Sequence, residues 1–170
     1  MLKLKSFAVD LARRAGFLLK KKFSQTHKIH YKGKINIVTE ADKMSEDLII
    51  GSIIRKFPDH GILSEESPAI KGAGKMRWII DPLDGTTNYA HGFPVFCVSI
   101  ALQNDGNVVL GVIYDPMRDE LFFAIKGKGA YLNDKKIAVP SVKNISRSLL
   151  ATGFPYDIRE SKDNNLIILI

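Results

Sequence analysis

The sequence predicts an α+β fold in which a helix pair packs on one face of a largely antiparallel sheet. Apolar residues recur at helical spacing over residues 3 to about 24, and again between Thr39 and Phe57. From Trp78 onward, short apolar runs are separated by turn-forming pairs such as Asp105-Gly106. Because helical and strand patterns follow one another and do not alternate, we expect a segregated α+β arrangement.

The two predicted helices lie on either side of a basic stretch. The first carries an amphipathic stripe of Leu4, Phe7, Leu11, Ala15, Leu18 and Phe23. Residues 27–33 should form a basic loop, and residues 32–34 either close over a phosphate or belong to a plain surface loop. The second helix should start at Thr39, which with Asp42 has the spacing of a capping box, and end before Pro58. Its apolar face would contain Met44, Leu48, Ile49, Ile53 and Phe57.

The strands are predicted from apolar runs bounded by turn residues. The first, at 61–63, would deliver Glu65, and the second, at 78–81, would end at Asp81. Asp105-Gly106 and Asn133-Asp134 are hairpin signals between later strands. The expected strands are 61–63, 78–81, 96–102, 108–114, 120–125, 131–132, 136–139 and 149–152.

Length and composition indicate an ordinary globular chain. At 170 residues, with 45% hydrophobic and 25% charged residues, the chain can bury a core as one domain. No apolar run approaches the length of a membrane span, so we expect no membrane partner. The single Cys97 excludes an internal disulfide framework and suits a reducing cytoplasm, where we expect the protein. Its apolar neighbours favour a small buried side chain over a reactive thiol.

The net charge of +7 is concentrated at the start of the chain. Residues 1–34 hold ten Lys or Arg and one acid, so this segment carries +9 and the remainder −2. The pattern favours the solvated face of the first helix, with steering of anionic substrates or contact with nucleic acid as alternatives. Nucleic acid is the weaker alternative, because the lysines interleave with an apolar helical stripe and not with aromatic residues.

One short segment combines carboxylates with a turn that suits phosphate. Asp81 and Asp84 are three residues apart at the end of an apolar run, and Gly85, Thr86 and Thr87 follow directly. Paired carboxylates hold hard cations such as Mg²⁺, and backbone N–H groups of such a turn bind phosphate, especially where a helix begins. His60 and His91 lack a second histidine or cysteine at ligand spacing, so we interpret both as structural.

The same segment, residues 81–86, resembles the DPxDGT signature of the inositol monophosphatase family, a group of Mg²⁺-dependent, Li⁺-inhibited phosphatases. Residues 37–42 resemble the family's VTxxD segment, and residues 63–67 its paired-glutamate segment. Residues 88–94 and 98–102 continue the resemblance. Residues 112–117, 127–130 and 151–156 are most similar to the bacterial inositol-1-monophosphatase branch.

The resemblance implies a site and an activity. The metal ligands would be Glu65, Asp81, Asp84 and the backbone carbonyl of Leu83, holding Mg²⁺ or, in its place, Mn²⁺. Thr86 would contact the attacking water and be held by Asp42, while Glu65 helps to activate that water. The implied reaction of this phosphoric monoester hydrolase is the hydrolysis of myo-inositol monophosphate to inositol and phosphate. A water activated by the metal would attack in line, and no covalent intermediate is needed.

The chain also departs from the family pattern. The family's third metal-binding aspartate lies in a WDxAxG segment, which this chain lacks, since its single Trp78 is followed by Ile79. We therefore expect the N-terminal part of the layered sugar-phosphatase fold: a metal-binding domain over residues 1–160 and an atypical apolar tail over 161–170. The C-terminal part of the family fold would be missing, and the chain would be a homo-oligomer with reduced activity.

Two other functions remain open. One is a phosphatase for another sugar phosphate, a nucleotide or histidinol phosphate on the same scaffold. The other is a non-catalytic module that contacts RNA or the transcription machinery through the basic N-terminal segment, although no RNA-reading motif supports it.

Overall fold

The computed structural model describes residues 1–23, 29–32, 36–149 and 151, which form helices, a hairpin and one large sheet. The helices are α1 (Leu2–Phe23), α2 (Glu40–Lys56) and the short α3 (Thr86–Ala90). The hairpin consists of β1 (Ile29–Lys32) and β2 (Asn36–Thr39). The large sheet contains β3 (Gly61–Ser64), β4 (Met76–Asp84), β5 (Cys97–Asn104), β6 (Asn107–Asp115), β7 (Glu120–Ile125), β8 (Gly129–Leu132) and β9 (Lys135–Ile137).

The large sheet follows the order of the sequence, from β3 at one edge to β9 at the other. Every neighbouring pair is antiparallel except β3 and β4, which run parallel. The predicted hairpin turns are confirmed: Asp105 and Gly106 adopt φ of 52° and 78°, the left-handed backbone of a two-residue hairpin loop. The α+β class with a largely antiparallel sheet is therefore confirmed.

The core lies between the helix pair and one sheet face. α1 contributes Phe7, Leu11, Ala15 and Leu19, and the sheet contributes Trp78, Ile80, Ile100 and Leu110, all buried. α1 crosses β6 closely at Gly16, where an added Cβ would lie 2.5 Å from Cδ1 of Tyr114. A glycine is therefore required at this crossing, because any side chain would push the helix off the sheet.

Several predicted elements need correction. The basic loop at 27–33 is partly wrong, because residues 29–32 pair with 36–39 as a hairpin. Gly33 and Lys34 of the suggested phosphate loop lie outside the described residues. The last strand at 149–152 is wrong for Leu149 and Ala151, which belong to no strand, while the other two positions lie outside the described residues. Helix α3 was not predicted, because its five residues carry too short a pattern.

The predicted apolar face of the second helix is confirmed at Ile49 and Ile53, which are fully buried, but the buried face also contains polar residues that were not predicted. Met44, Leu48 and Phe57 are only half-buried, whereas Asp42, Ser45 and Glu46 face the interior. None of the helices formed by the described residues has the length and apolar character needed to span a bilayer.

Candidate functional site

The two aspartates of the carboxylate segment share a sheet face because β4 is bulged between them. Asp81 pairs with Ser99 of β5, and Asp84 pairs with Cys97. The chain therefore advances three residues on β4 while it advances two residues on β5. Residues two apart on a strand point to the same face, whereas residues three apart do not. The extra residue of the bulge therefore brings Asp84 to the face of Asp81. Pro82 lies in the bulge, where its missing N–H does not interrupt the ladder.

The parallel pairing of β3 with β4 places Glu65 beside Asp81. Ser64 is opposite Ile80 in this register. The residues that follow them, Glu65 and Asp81, are therefore neighbours. Both Glu65 and Asp84 lie close enough to Asp81 for their charges to act on its carboxyl group. Burial first, and then the charges of Glu65 and Asp84, raise the pKa of Asp81 to about 7.

Glu65 and Asp84 each lie near Asp81, but the predicted metal ligands do not surround one common point. Among the described residues, no three His, Cys, Asp or Glu side chains converge closely enough to hold a metal ion. The donor chemistry nevertheless fits a hard cation, because the carboxyls of Glu65, Asp81 and Asp84 and the carbonyl of Leu83 offer only oxygen. The carbonyl of Leu83 accepts a hydrogen bond from Thr86 Oγ1 at 3.0 Å. The assignment of these four ligands stays a prediction.

Thr86 is connected to Asp42, as the family resemblance implies. Its Oγ1 lies 3.1 Å from Asp42 Oδ1 and 3.0 Å from the carbonyl oxygen of Leu83. Both partners are acceptors, so the hydroxyl proton of Thr86 is directed to one of them. Asp42 is only 1% exposed, which fixes the position of its carboxylate. The threonine oxygen therefore has a defined orientation, and its lone pairs can accept a hydrogen bond from a water.

The Gly85 turn begins α3 and brings Thr86 and Thr87 into the first turn of that helix. Gly85 has φ 96°, a left-handed backbone that side chains disfavour. An added Cβ would lie 2.9 Å from the carbonyl oxygen of Val95, which also accepts from Asn88 Nδ2 at 2.8 Å. The N–H groups of a first helical turn lack partners within the helix. Phosphate binding by Gly85, Thr86 and Thr87 stays a prediction.

α2 reaches the site through further polar side chains that the sequence analysis missed. Ser45 Oγ donates to the carbonyl of Pro82 at 2.8 Å, and Glu46 accepts hydrogen bonds from Ser64 and Ser67. Both residues occupy the interior face of the helix. Polar residues at positions 42, 45 and 46, in register with buried Ile49 and Ile53, are the signal that would have revealed them.

The side chains of Cys97, His60 and His91 each contact other groups of the protein. The Cys97 thiol lies 3.6 Å from Asp84 Oδ2, and burial together with this carboxylate raises the pKa of Cys97 to about 12. The thiol therefore stays protonated at neutral pH, which agrees with an unreactive side chain, whereas the expectation of a buried side chain is wrong because Cys97 is only half-buried. His60 Nδ1 accepts from Trp78 Nε1 at 3.1 Å, and His91 Nδ1 is 2.8 Å from the carbonyl of Thr87.

Fold and site together define an α+β protein whose acidic groups gather where a central strand ends, next to a threonine held by a buried aspartate. The model of the inositol monophosphatase family matches residues 1–169 of the chain. The chain belongs to the inositol monophosphatase family, which confirms the resemblance seen in its motifs.

Individual relatives agree with this assignment. Inositol monophosphatase 1 of Solanum lycopersicum is 45% identical over 161 residues, covering 92% of this chain and 58% of the relative. The protein named Nus factor SuhB of Haemophilus influenzae is 45% identical over 154 residues, covering 89% and 58%. The solved structure of the inositol monophosphatase from Anabaena has a TM-score of 0.85 at 44% identity, covering 97% of this chain and 60% of that one. The chain thus spans less than two thirds of the length of these relatives.

Proposed function

We propose that this protein hydrolyses a phosphate monoester in the presence of Mg²⁺, with Mn²⁺ as a substitute, and that myo-inositol monophosphate is its substrate. The observation that carries the proposal is the Thr86–Asp42 hydrogen bond directly beside the carboxyls of Glu65, Asp81 and Asp84. The choice of substrate is supported by the relatives in Solanum lycopersicum and Dictyostelium discoideum, which are both named inositol monophosphatases.

The metal would be held by the carboxyls of Glu65, Asp81 and Asp84 and by the carbonyl of Leu83. When bound, such a cation lowers the pKa of a coordinated water and neutralises the oxygens of the phosphate. The protein contributes the fixed geometry: the β4 bulge aligns the two aspartates, and the parallel β3–β4 register brings Glu65 to Asp81.

Thr86 and Glu65 would direct the attacking water. The hydroxyl proton of Thr86 is engaged by Asp42 or by the Leu83 carbonyl, so the threonine oxygen accepts a hydrogen bond from the water and orients the lone pair of the water toward phosphorus. Glu65 is exposed to solvent and lies where it can take that proton as a general base. The water oxygen then bonds to phosphorus as the bond to the alcohol oxygen breaks, and the alcohol leaves with a proton from solvent.

The phosphate itself would lie against the Gly85 turn. The N–H groups of Gly85, Thr86 and Thr87 at the start of α3 suit its oxygens, and the lack of a side chain at Gly85 keeps the backbone accessible. Asp84, the residue before this turn, would link metal and phosphate in one short segment.

The test combines metal binding with phosphate release. Mn²⁺ affinity is measured by calorimetry, and phosphate release from inositol-1-phosphate is measured with and without Mg²⁺, for the wild type and for Asp84→Asn. Asp105→Asn is the matched control, because Asp105 is an exposed acid in the β5–β6 turn that pairs only with Lys75 at 3.1 Å among the contacts described. We expect Asp84→Asn to lose Mn²⁺ binding and Asp105→Asn to keep it. Equal affinities for both variants would refute the metal assignment.

A panel of substrates separates the alternatives within the phosphatases. Rates of phosphate release from inositol-1-phosphate, histidinol phosphate, a hexose phosphate and a nucleoside monophosphate are compared at equal concentration. We expect the highest kcat/KM for inositol-1-phosphate. A higher kcat/KM for another ester would show that this ester, and not inositol-1-phosphate, is the preferred substrate.

The second candidate is a regulatory role in transcription, favoured by the relatives named Nus factor SuhB in Haemophilus influenzae and Vibrio cholerae. The basic α1, which ends in Lys20, Lys21 and Lys22, offers a charged surface for such a contact. Filter binding of RNA over a range of salt concentrations tests it. Binding that is weak and falls steeply with salt indicates only charge attraction, whereas tight, sequence-dependent binding at physiological salt supports the regulatory role.

A further inference from the structure

A buried carboxylate of α2 lies below the segment that carries Glu65. Glu46 is only 3% exposed, and each of its carboxylate oxygens accepts a hydrogen bond from a serine. Ser64 Oγ donates to Oε1 at 2.5 Å, and Ser67 Oγ donates to Oε2 at 2.6 Å. A carboxylate in this environment is retained only where it is fully hydrogen-bonded, because an unpaired buried charge is costly.

The two serines stand on either side of Glu65. Ser64 is the last residue of β3, Glu65 and Glu66 follow, and Ser67 comes next. Both ends of the turn that presents Glu65 are therefore attached to the same carboxylate. Fixing both ends of a four-residue segment restricts the backbone between them, so the direction of the Glu65 side chain depends on Glu46.

The same face of α2 holds the other two segments of the site. Asp42 bonds Thr86, and Ser45, one turn further along the helix, bonds the carbonyl of Pro82 in the β4 bulge. Glu46 comes next in this row and bonds the Glu65 turn. Residues separated by three or four positions lie on one side of a helix, so a single rigid surface sets three separate chain segments in register.

We infer that Glu46 is a positioning residue for the metal site: through Ser64 and Ser67 it fixes the turn that presents the Glu65 carboxyl beside Asp81. This inference rests on the proposed function insofar as the held group is a metal ligand. Glu46 touches neither metal nor substrate. Groups that orient metal ligands in this way typically change metal affinity by about 10- to 100-fold when they are replaced.

The test uses two variants that cut the attachment at different points. Ser67→Ala removes one hydroxyl at the half-buried end of the turn, and Glu46→Gln keeps the volume but replaces one acceptor oxygen by a donor. Ser52→Ala is the matched control: Ser52 is a buried serine of the same helix whose Oγ donates to the carbonyl of Leu48 at 2.7 Å, within α2 itself. Ser67→Thr keeps a hydroxyl and serves as the conservative variant.

Mn²⁺ affinity is measured by calorimetry, together with the urea midpoint of each variant and crystal structures of Ser67→Ala and Glu46→Gln. We expect Ser67→Ala and Glu46→Gln to bind Mn²⁺ about 10- to 100-fold more weakly, and the Glu65 carboxyl to move away from Asp81 in both crystal structures. Ser52→Ala should keep wild-type affinity at a comparable loss of stability, and Ser67→Thr should restore most of the affinity.

The outcomes separate this inference from the proposed function. Wild-type Mn²⁺ affinity in both Ser67→Ala and Glu46→Gln, alongside lost binding in Asp84→Asn, overturns the role of Glu46 and leaves the metal site standing. If Asp84→Asn keeps Mn²⁺ binding, the proposed metal site is wrong, and the crystal structures decide the positioning role. A Glu65 carboxyl that keeps its wild-type position beside Asp81 in both variants then refutes it.

Discussion

Replacing Gly85 by alanine tests whether the turn between Asp84 and Thr86 needs a glycine for two separate reasons. Gly85 has a left-handed backbone with φ 96°, and its absent side chain leaves room for the carbonyl of Val95. Gly106 shares the first property and lacks the second, because its φ is 78° and nothing lies within 4 Å of a Cβ built there. The pair of variants therefore isolates the effect of the close approach.

The expected magnitudes follow from this difference. A left-handed backbone costs a residue with a side chain roughly 1–2 kcal/mol, which is the whole expected loss for Gly106→Ala. Gly85→Ala adds a Cβ at 2.9 Å from Val95 O and 3.3 Å from Phe96 Cα, both backbone atoms that yield little. Overpacking of this kind costs about 1–3 kcal/mol, so Gly85→Ala should lower the free energy of unfolding by about 2–5 kcal/mol.

The assay is urea denaturation followed by the fluorescence of Trp78, the single tryptophan, which is fully buried. Phosphate release in Mg²⁺ is measured in parallel, because a shifted turn also moves Asp84 and Thr86. We expect Gly85→Ala to lose stability and most of its activity, and Gly106→Ala to lose about 1–2 kcal/mol of stability with unchanged turnover.

Equal losses of stability in Gly85→Ala and Gly106→Ala would show that the short distance to the Val95 carbonyl adds nothing to the cost of a side chain at residue 85. Unchanged turnover in a destabilised Gly85→Ala would show that the turn does not set the geometry of the reaction.

Three further predictions concern single contacts. Thr86→Ala should lower kcat by about 100-fold with little change in KM, because Thr86 orients the water mainly in the transition state; steady-state kinetics with a raised KM and unchanged kcat would contradict this. Tyr89→Phe should cost about 1–2 kcal/mol in urea denaturation, because the Tyr89 hydroxyl donates to the buried carbonyl of Leu19 at 2.8 Å; an unchanged midpoint would contradict it. Burial lowers the pKa of His60 from 6.5, so the unfolded chain binds the proton more tightly, and stability should fall as pH drops below about 6.5 through the folded pKa. Urea midpoints at neutral and acidic pH should differ less in His60→Gln than in the wild type, and an equal difference would remove His60 as the cause.

The strand part of the fold was accessible from the sequence because its signals are local. Asp105-Gly106 and Asn133-Asp134 mark hairpins, since left-handed backbone at these positions tolerates few other residues. The predicted strand at 120–125 coincides with β7, and α1 differs from its prediction by one residue at each end. Such patterns depend on residues that are neighbours along the chain.

The failures arose where a distant part of the chain decided the outcome. In the strand expected at 149–152, Leu149 and Ala151 pair with no strand among the described residues. The hairpin at 29–32 is formed by pairing with 36–39. On α2, Ile49 and Ile53 are buried as expected, but Asp42, Ser45 and Glu46 share their face because the site segments supply the hydrogen bonds of these polar residues. Burial of polar groups is decided by such partners, which a local pattern does not contain.

The sequence by itself determined the chemistry of the site: the family motifs, the acids Glu65, Asp81 and Asp84, and the Thr86–Asp42 pair. Tertiary structure alone decided how these groups meet. A bulge at Pro82 places Asp84 on the face of Asp81, the parallel β3–β4 register brings Glu65 to them, and buried α2 residues hold all three segments. Residue identity fixes which atoms can act, whereas their distances depend on strand register and helix packing, which arise only when separate segments come together.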